Sequence, residues 1–262
     1  MRKSSPFSFT IRILAFISVL LTVSHAAFDP DDVFWDGRFD SLGTNARVSE
    51  ITIDGSDVYV GGSFTYAGES EVNGIALWNG STWSAIGSGV SGSVSEIALR
   101  GTDLYAGGNF SAAGGVPAAH IAKWDGISWS NLGGGITGIH TNPPVLGIEI
   151  IGDSIYAGGA FDLAGGITVN SIAMWDGSSW SSVGGGLGAL GIAPIVMAME
   201  IWNGYLYIGG SFNEAGGVPV NNFAKWDGSS WSPVTIFRGT MRSMTAVGSD
   251  LYVGGLFNFS TS

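Results

Sequence analysis

Short apolar runs separated by polar turns recur along the chain. Runs rich in Val, Ile, Tyr and Trp alternate with clusters of Gly, Asp, Asn and Ser. Apolar runs of about four to eight residues are typical of β-strands, and the clusters between them are typical of tight turns. The pattern therefore predicts an all-β protein without helices.

Two strings of residues define a repeat. The first, Tyr-x-Gly-Gly-x-Phe, occurs five times, with successive tyrosines 46, 51, 51 and 45 residues apart. The second, Ile-Ala-x-Trp-Asp-Gly-x-x-Trp, follows each of the first four copies with small variations. A period near this length, holding several short strands, predicts one blade of a β-propeller per repeat. The tyrosines are Tyr59, Tyr105, Tyr156, Tyr207 and Tyr252.

Each repeat divides into four predicted strands, a to d. Strand b carries the first string, strand c carries Ile-Ala-x-Trp, and strand d begins at the second Trp. The Asp-Gly turn between c and d suits a tight hairpin, because Gly readily adopts a positive φ. The apolar strands a are predicted at Val48–Ile53, Val94–Leu99, Val145–Ile150, Val196–Ile201 and Met241–Ala246.

The glycine pairs and the tryptophans are the structural motif residues. A Gly pair inside a strand indicates a bulge or a close approach of another group, and we expect a neighbouring aromatic ring there. The two Trp of a repeat bracket the turn, so we expect them to face each other. The glycines are Gly61, Gly62, Gly107, Gly108, Gly158, Gly159, Gly209, Gly210, Gly254 and Gly255. The tryptophans are Trp78, Trp83, Trp124, Trp129, Trp175, Trp180, Trp226 and Trp231.

The two ends of the chain hold complementary parts of a repeat. Val33–Phe39 resembles a c–turn–d unit, and the chain ends shortly after the strand b that stops at Phe257. Pairing these ends would form one composite blade and remove the exposed strand edges. The sequence thus predicts a propeller over residues 27–262, with four complete blades and one shared blade, five in all. The alternative is a fragment of a longer repeat array.

The first 26 residues have the pattern of a secretory signal peptide. Arg2 and Lys3 form a basic start, Ile13 to Val23 is apolar, and Ser24-His25-Ala26 offers a cleavage site. We therefore expect a secreted, extracellular or cell-surface protein with no membrane span after cleavage. An uncut N-terminal anchor is the alternative.

Charge and cysteine content exclude several kinds of partner and site. Loss of residues 1–26 removes three basic residues and takes the net charge from −11 to −14. An acidic surface repels phosphate backbones, so we expect no nucleic-acid partner. The absence of Cys excludes disulfides, thiolate metal sites and a Cys nucleophile. We expect a monomer held together by core packing.

The repeat resembles the kelch-type, galactose-oxidase-like propeller unit. Tyr105, Gly107-Gly108, Trp124 and Trp129 follow the order of that unit, and the other repeats do the same. The form Ile-Ala-x-Trp-Asp-Gly-Ser-Ser-Trp is also similar to extracellular propeller repeats of bacterial surface proteins and of a fungal bud-site landmark protein. The resemblance covers nearly all of residues 27–262 and implies the propeller fold. The basic and His positions that often open a kelch unit are absent, and kelch propellers usually have six or seven blades.

The sequence offers little that would support catalysis. His120 and His140 have no His, Cys or Glu four residues on, as a metal pair on a helix would need. Asp36, Asp125, Asp176 and Asp227 recur at the c–d turn, with Asn79 in their place in one repeat, which indicates turn chemistry rather than a catalytic pair. We expect no enzyme activity, no cofactor and no metal. Weak calcium binding by Asp29, Asp31 and Asp32 is the one alternative for a metal.

The long loops are the candidate binding surface. The b–c loops span about 65–74, 111–120, 162–171 and 213–222, and two d–a loops, 133–144 and 184–194, are extended. Insertions confined to one face of a repeat array often mark its binding surface. The candidate residues are His120, His140, Asn142, Asp162, Asn170, Asn213, Glu214, Asn221 and Asn222.

Three functions fit this sequence to different degrees. A non-catalytic module that binds an extracellular protein through its loop face fits best. A multivalent lectin would need similar polar and aromatic residues at every blade junction. A glycan-processing hydrolase would need converging carboxylates unique to one repeat, and the candidates are Glu69, Glu71, Asp162 and Glu214.

Overall fold

The computed structural model describes residues 11–14, 43–139, 144–235 and 238–258. This part of the chain consists of β-strands and turns with no helix, which confirms the all-β prediction. The strands are β1 (Ile11–Leu14), β2 (Val48–Asp54), β3 (Asp57–Gly62), β4 (Tyr66–Ala67), β5 (Ser70–Glu71), β6 (Ile75–Trp78), β7 (Trp83–Ala85), β8 (Ser93–Arg100), β9 (Asp103–Asn109), β10 (Ala112–Ala113), β11 (Val116–Pro117), β12 (Ile121–Trp124), β13 (Trp129–Asn131), β14 (Ile136–Ile139), β15 (Val145–Ile151), β16 (Ser154–Gly159), β17 (Phe161–Ala164), β18 (Ile167–Thr168), β19 (Ile172–Trp175), β20 (Trp180–Ser182), β21 (Leu187–Gly188), β22 (Ile195–Trp202), β23 (Tyr205–Ser211), β24 (Glu214–Ala215), β25 (Val218–Pro219), β26 (Phe223–Trp226), β27 (Trp231–Pro233), β28 (Arg238–Val247) and β29 (Asp250–Asn258).

Each of the first four repeats forms one four-stranded antiparallel sheet. The strand orders are β2-β3-β6-β7, β8-β9-β12-β13, β15-β16-β19-β20 and β22-β23-β26-β27. These are the predicted strands a, b, c and d in sequence order, and the predicted strands a lie within the observed ones. A fifth pair, β28 with β29, repeats the a–b hairpin.

A β-bulge in strand a lies opposite the glycine pair in all five repeats. In the third repeat the register shifts between Val145 and Gly147, which pair with Gly159 and Gly158. A Cβ on Gly159 would overlap the backbone carbonyl of Pro144. The second glycine of each other pair meets a strand-a carbonyl in the same way. The bulge therefore requires glycine, because it brings backbone where a side chain would stand.

In the first, third and fourth repeats, the first glycine of the pair lies against aliphatic side chains of the following strand a. A Cβ on Gly61 would lie 2.6 Å from Cγ1 of Val94, and one on Gly209 would lie 2.5 Å from Cβ of Met241. The expected aromatic ring over the glycine pair is therefore wrong. The groups that approach from strand a are the bulged backbone and Val, Ile, Met or Ser side chains, and the ring beside Gly62 is that of Phe64 from the same motif.

The two tryptophans of each repeat face each other across strands c and d, as predicted. Trp124 pairs with Trp129 in the strand register, and their ring centroids are 5.6 Å apart at an interplanar angle of 52°. The corresponding distances in the first, third and fourth repeats are 5.3, 5.4 and 5.1 Å. Tilted rings at this spacing have a favourable quadrupole arrangement.

Indole nitrogens connect neighbouring repeats. Trp129 Nε1 donates a 2.9 Å hydrogen bond to the carbonyl oxygen of Ile86, at the end of the preceding repeat. Trp231 Nε1 donates one of 3.1 Å to that of Val183. One apolar cluster spans the first and second repeats and another spans the third and fourth, so the two repeats of each pair pack against each other.

In the second, third and fourth repeats, the c–d turn is held by the carboxylate of its aspartate. Oδ1 of Asp176 accepts hydrogen bonds from the backbone N–H groups of Ser178 and Ser179, each 2.8 Å long. These bonds hold the pKa of Asp176 at about 2, below its usual range. The following Gly177 has φ of 98°, as the turn prediction requires.

The chain divides into two compact units, Ile17–Gly135 and Met1–Phe16 with Ile136–Ser262. The first contains repeats one and two, and the second contains repeats three and four with β28 and β29. The outer edge of β29 pairs in parallel with β1, which lies within the predicted signal peptide. Residues 33–42 lie outside the described residues, so the composite blade and the count of five stay predictions, as does cleavage after residue 26.

No helix in the described residues is long and apolar enough to span a membrane.

Candidate functional site

The predicted b–c loops are small hairpins rather than irregular loops. The pairs are β4 with β5, β10 with β11, β17 with β18, and β24 with β25. In each case the d–a segment that precedes the repeat adds a third strand or bridge. In the first and second repeats this third element is an isolated bridge, from Thr44 and Val90 respectively. In the third and fourth repeats it is a strand, β14 and β21 respectively.

Each hairpin buries apolar residues, and those of the second and fourth repeats belong to the apolar clusters that span two repeats. Ala67 and Val72 are buried in the first repeat, and Ala164, Val169 and Leu187 are buried in the second unit. These residues come from the hairpin and from the d–a segment beside it. The loop face is thus a rigid scaffold that can present short protruding segments.

One backbone position before strand c has a left-handed conformation in four repeats. It is occupied by Gly74, His120, Ser171 and Asn222, with φ between 61° and 79°. Its N–H donates to the carbonyl of the motif Phe, and its carbonyl accepts from the second motif glycine. The candidate residues His120 and Asn222 therefore have a structural role that explains their place in the sequence.

His120 is half-buried in this turn. Its Nδ1 is buried and has no hydrogen-bond partner among the described residues. Burial lowers its pKa below the usual value, since the charged imidazolium would lose hydration. His120 is thus neutral at physiological pH, and the structure gives no contact that would make it a metal ligand.

The asparagines of the second unit also support the backbone. Asn222 Oδ1 accepts a 2.8 Å hydrogen bond from the N–H of Phe212. Asn170 has φ of 51°, and its carbonyl accepts a 3.0 Å bond from the N–H of Leu187. Asn213 donates from its N–H to the Gly188 carbonyl at 3.0 Å.

Three other candidate residues lie in the same unit. Asp162 is half-buried on β17, while Glu214 on β24 and Asn221 are exposed. Glu214 pairs with Gly188 and Pro219 in the strand register. His140 and Asn142 lie outside the described residues.

The loop between β21 and β22 belongs to the extended d–a loop 184–194 that the sequence analysis placed on the candidate binding surface, but its apolar residues were not among the predicted candidates. Leu190 is 87% exposed and Ile192 is 62% exposed at its tip. The loop leaves the sheet at Gly188, opposite Glu214, and returns at Ile195, opposite Ser211. Ser171 Oγ fixes its end by a 2.7 Å hydrogen bond to the Pro194 carbonyl. The available signal was the run Gly-Ala-Leu-Gly-Ile-Ala-Pro, which has no charge in an acidic chain.

The sequence that forms these sheets also matches the model of a known propeller family. The model of the Rax2 C-terminal beta propeller domain matches residues 38–191. The chain belongs to this family. The fold is therefore a β-propeller, as predicted, while the kelch-type resemblance stays a prediction.

The Rax2 match covers the first three repeats and ends within the apolar loop, at Gly191. The fourth repeat lies beyond the match but has the same strands, bulge and tryptophan pair. It therefore has the same architecture as the three matched repeats.

Comparison with solved structures and curated sequences adds little about function. The chain is similar to a structure of YCF48 bound to D1 peptide, with 15% sequence identity and a TM-score of 0.43. The match covers 78% of this chain and 58% of that one, so the chain spans less than two thirds of its length. No curated protein sequence matches the chain.

Two glutamates on adjacent strands a form a second feature that the sequence analysis missed. Burial and the nearby carboxylate of Glu200 raise the pKa of Glu149 to about 8. Burial also raises the pKa of Glu200, although a hydrogen bond with the backbone of Ala246 opposes this. At neutral pH Glu149 is thus largely protonated.

No group of three or more His, Cys, Asp or Glu side chains within the described ranges is placed to hold a metal ion. The acidic cluster Asp29, Asp31 and Asp32 lies outside those ranges.

Proposed function

We propose that this Rax2-family propeller is an extracellular, non-catalytic module that binds a partner protein through the apolar loop of residues 189–194. The exposure of Leu190 and Ile192 on a firmly anchored loop carries this proposal. The secretory pattern of residues 1–26 supports the extracellular location.

The chemistry of the loop suits a protein partner. The core of a protein interface is apolar and depleted in charge, with polar residues around it. Residues 189–194 contain no charge, and the exposed Glu214 lies beside the loop base. Because both ends of the loop are hydrogen-bonded to the sheet, binding would cost little conformational entropy.

A binding assay in which either the proteins or the glycans of the cell surface are removed tests which class of molecule the protein binds. Labelled full-length protein is applied to cell-surface material from its own host, treated beforehand with protease or with glycosidases. The proposal predicts that protease removes saturable binding and that glycosidases leave it unchanged. Loss of binding after glycosidase treatment, with a hit on a glycan array, would overturn the proposal in favour of the lectin alternative.

The lectin alternative receives no support from the repeated positions. The junction residues Asn73 and Asn170 and their equivalents form turns before strand c. Of the four carboxylates proposed for a hydrolase, Glu69, Glu71 and Glu214 are exposed and Asp162 is half-buried on β17.

A further inference from the structure

The first c–d turn differs chemically from the other three. The second, third and fourth repeats have Asp125, Asp176 and Asp227, whereas the first has Asn79. Asn79 is followed by Gly80 and Ser81, so this single change creates an Asn-x-Ser acceptor sequence for N-linked glycosylation.

The turn fixes the amide of Asn79 in a usable orientation. Its Oδ1 accepts hydrogen bonds from the N–H groups of Ser81 at 3.0 Å and Thr82 at 2.9 Å. The Ser81 hydroxyl also donates to Oδ1, at 2.9 Å. The amide nitrogen Nδ2 therefore faces away from these bonds and makes no hydrogen bond with any described residue.

The site is also open. Asn79, Gly80, Ser81 and Thr82 are all exposed at the tip of the hairpin between β6 and β7. A Cβ built on Gly80 has no atom within 4 Å, which shows free space around the turn. A bulky, hydrated group attached at Nδ2 would meet solvent rather than protein.

The other acceptor sequences are less suitable. Asn109 is half-buried on β9, and the hydroxyl of its partner Ser111 lies 3.2 Å from that of Ser91. Its backbone is part of the sheet and pairs with Ser93. The side chain of Asn258 lies outside the described residues.

We propose that Asn79 is an N-glycosylation site of this protein. In the reaction, Nδ2 attacks C1 of an oligosaccharide carried on a lipid pyrophosphate, and an N–C bond forms. The C1–O bond breaks, the lipid pyrophosphate leaves with the electron pair, and the transferase takes up the amide proton. The inference rests on the secretory route of the proposed function, since the lipid-linked donor is available only there.

Peptide mass spectrometry tests the assignment. The full chain is produced in a eukaryotic secretory host behind a leader of established efficiency. An amidase that removes N-glycans in heavy-oxygen water then converts each glycosylated Asn to labelled Asp. The label is expected at Asn79 in most molecules and at Asn109 in few. Secreted, folded protein without label at Asn79 would overturn the assignment.

Matched variants separate the glycan from effects on folding. Asn79→Asp restores the residue of the other three turns, and Ser81→Ala removes only the acceptor hydroxyl. Both should abolish the label without loss of secretion. Asp176→Asn places the same Asn-Gly-Ser sequence in an equivalent turn and should gain a glycan. Failure of this gain would contradict the role given to the turn geometry.

A second expression experiment in the same host tests the proposed extracellular function separately from the glycosylation of Asn79. The chain without the added leader reports whether residues 1–26 direct secretion. Retention of that chain inside the cell would count against the extracellular role. The label on the leader-driven protein would still decide the glycosylation of Asn79.

Discussion

The indole nitrogen of Trp231 donates a hydrogen bond to the carbonyl oxygen of Val183 in the preceding repeat. The same carbonyl accepts the N–H of Gly186, at 3.0 Å. Trp129 and Ile86 form the equivalent pair between the second and first repeats. The second tryptophan of the repeat therefore does two things. It faces its partner tryptophan across the hairpin, and its indole nitrogen is hydrogen-bonded to the preceding repeat.

Trp231→Phe should destabilise the protein without preventing folding. The variant loses the inter-repeat hydrogen bond and part of a buried ring, which together should cost about 1–3 kcal/mol. Urea denaturation followed by circular dichroism measures the change. Ile127→Ser, at a position 86% exposed, is the control and should leave the midpoint within error. Equal midpoints for Trp231→Phe and wild type would show that the bond contributes nothing.

Gly159→Ala should be far more damaging than an ordinary glycine substitution. The new methyl would overlap the Pro144 carbonyl across the bulge, so the strand a–b pairing must open. We expect a loss of about 3 kcal/mol or more, at the upper end of overpacking costs. Gly43→Ala is the control, because a Cβ there meets nothing within 4 Å. Similar thermal midpoints for the two variants would contradict the bulge explanation.

Glu149→Gln should change how stability depends on pH. The folded-state pKa of Glu149 is about 8 and lies above the unfolded value of 4.5, so the folded state retains the proton. This contribution is complete below the unfolded pKa and is lost as pH rises through 8, with a limiting slope of about 1.4 kcal/mol per pH unit between the two. Gln is neutral at every pH, so the variant should lose less stability than wild type between pH 5 and pH 9.

Thermal denaturation across that pH range measures the difference. Glu71→Gln, on the exposed hairpin strand β5, is the matched control and should follow the wild-type curve. Parallel curves for Glu149→Gln and wild type would mean that burial does not hold the proton on Glu149.

Most of the fold could be predicted from the sequence because the same local sequence pattern recurs in successive repeats. The period, the Asp-Gly turns and the bracketing tryptophans identify the strands and place Trp124 opposite Trp129. The partner of the glycine pair could not be predicted in the same way. Gly158 and Gly159 signal a close approach, but the approaching group comes from strand a and from the next repeat, which the local sequence does not specify.

The candidate site was harder to predict than the fold. Polar loop residues such as His120 and Asn222 suggested binding, yet their left-handed backbone and hydrogen bonds give them a place in the turn. Leu190 and Ile192 are of residue types that usually lie in the core. They can be recognised as candidate binding residues only once the structure shows that they are exposed. Glu149 similarly acquires its raised pKa from packing against the neighbouring strand, which no single repeat reveals.

The most direct test of the proposed function is the dissociation constant for host cell-surface protein of a Leu190→Ser, Ile192→Ser double variant. Both side chains are exposed, so the variant should retain the wild-type thermal midpoint. Ile127→Ser, which removes an equally exposed aliphatic side chain from a c–d turn, is the control. The account predicts at least about tenfold weaker binding for the double variant, equivalent to about 1.4 kcal/mol, and unchanged binding for the control. Wild-type affinity in the folded double variant would contradict it.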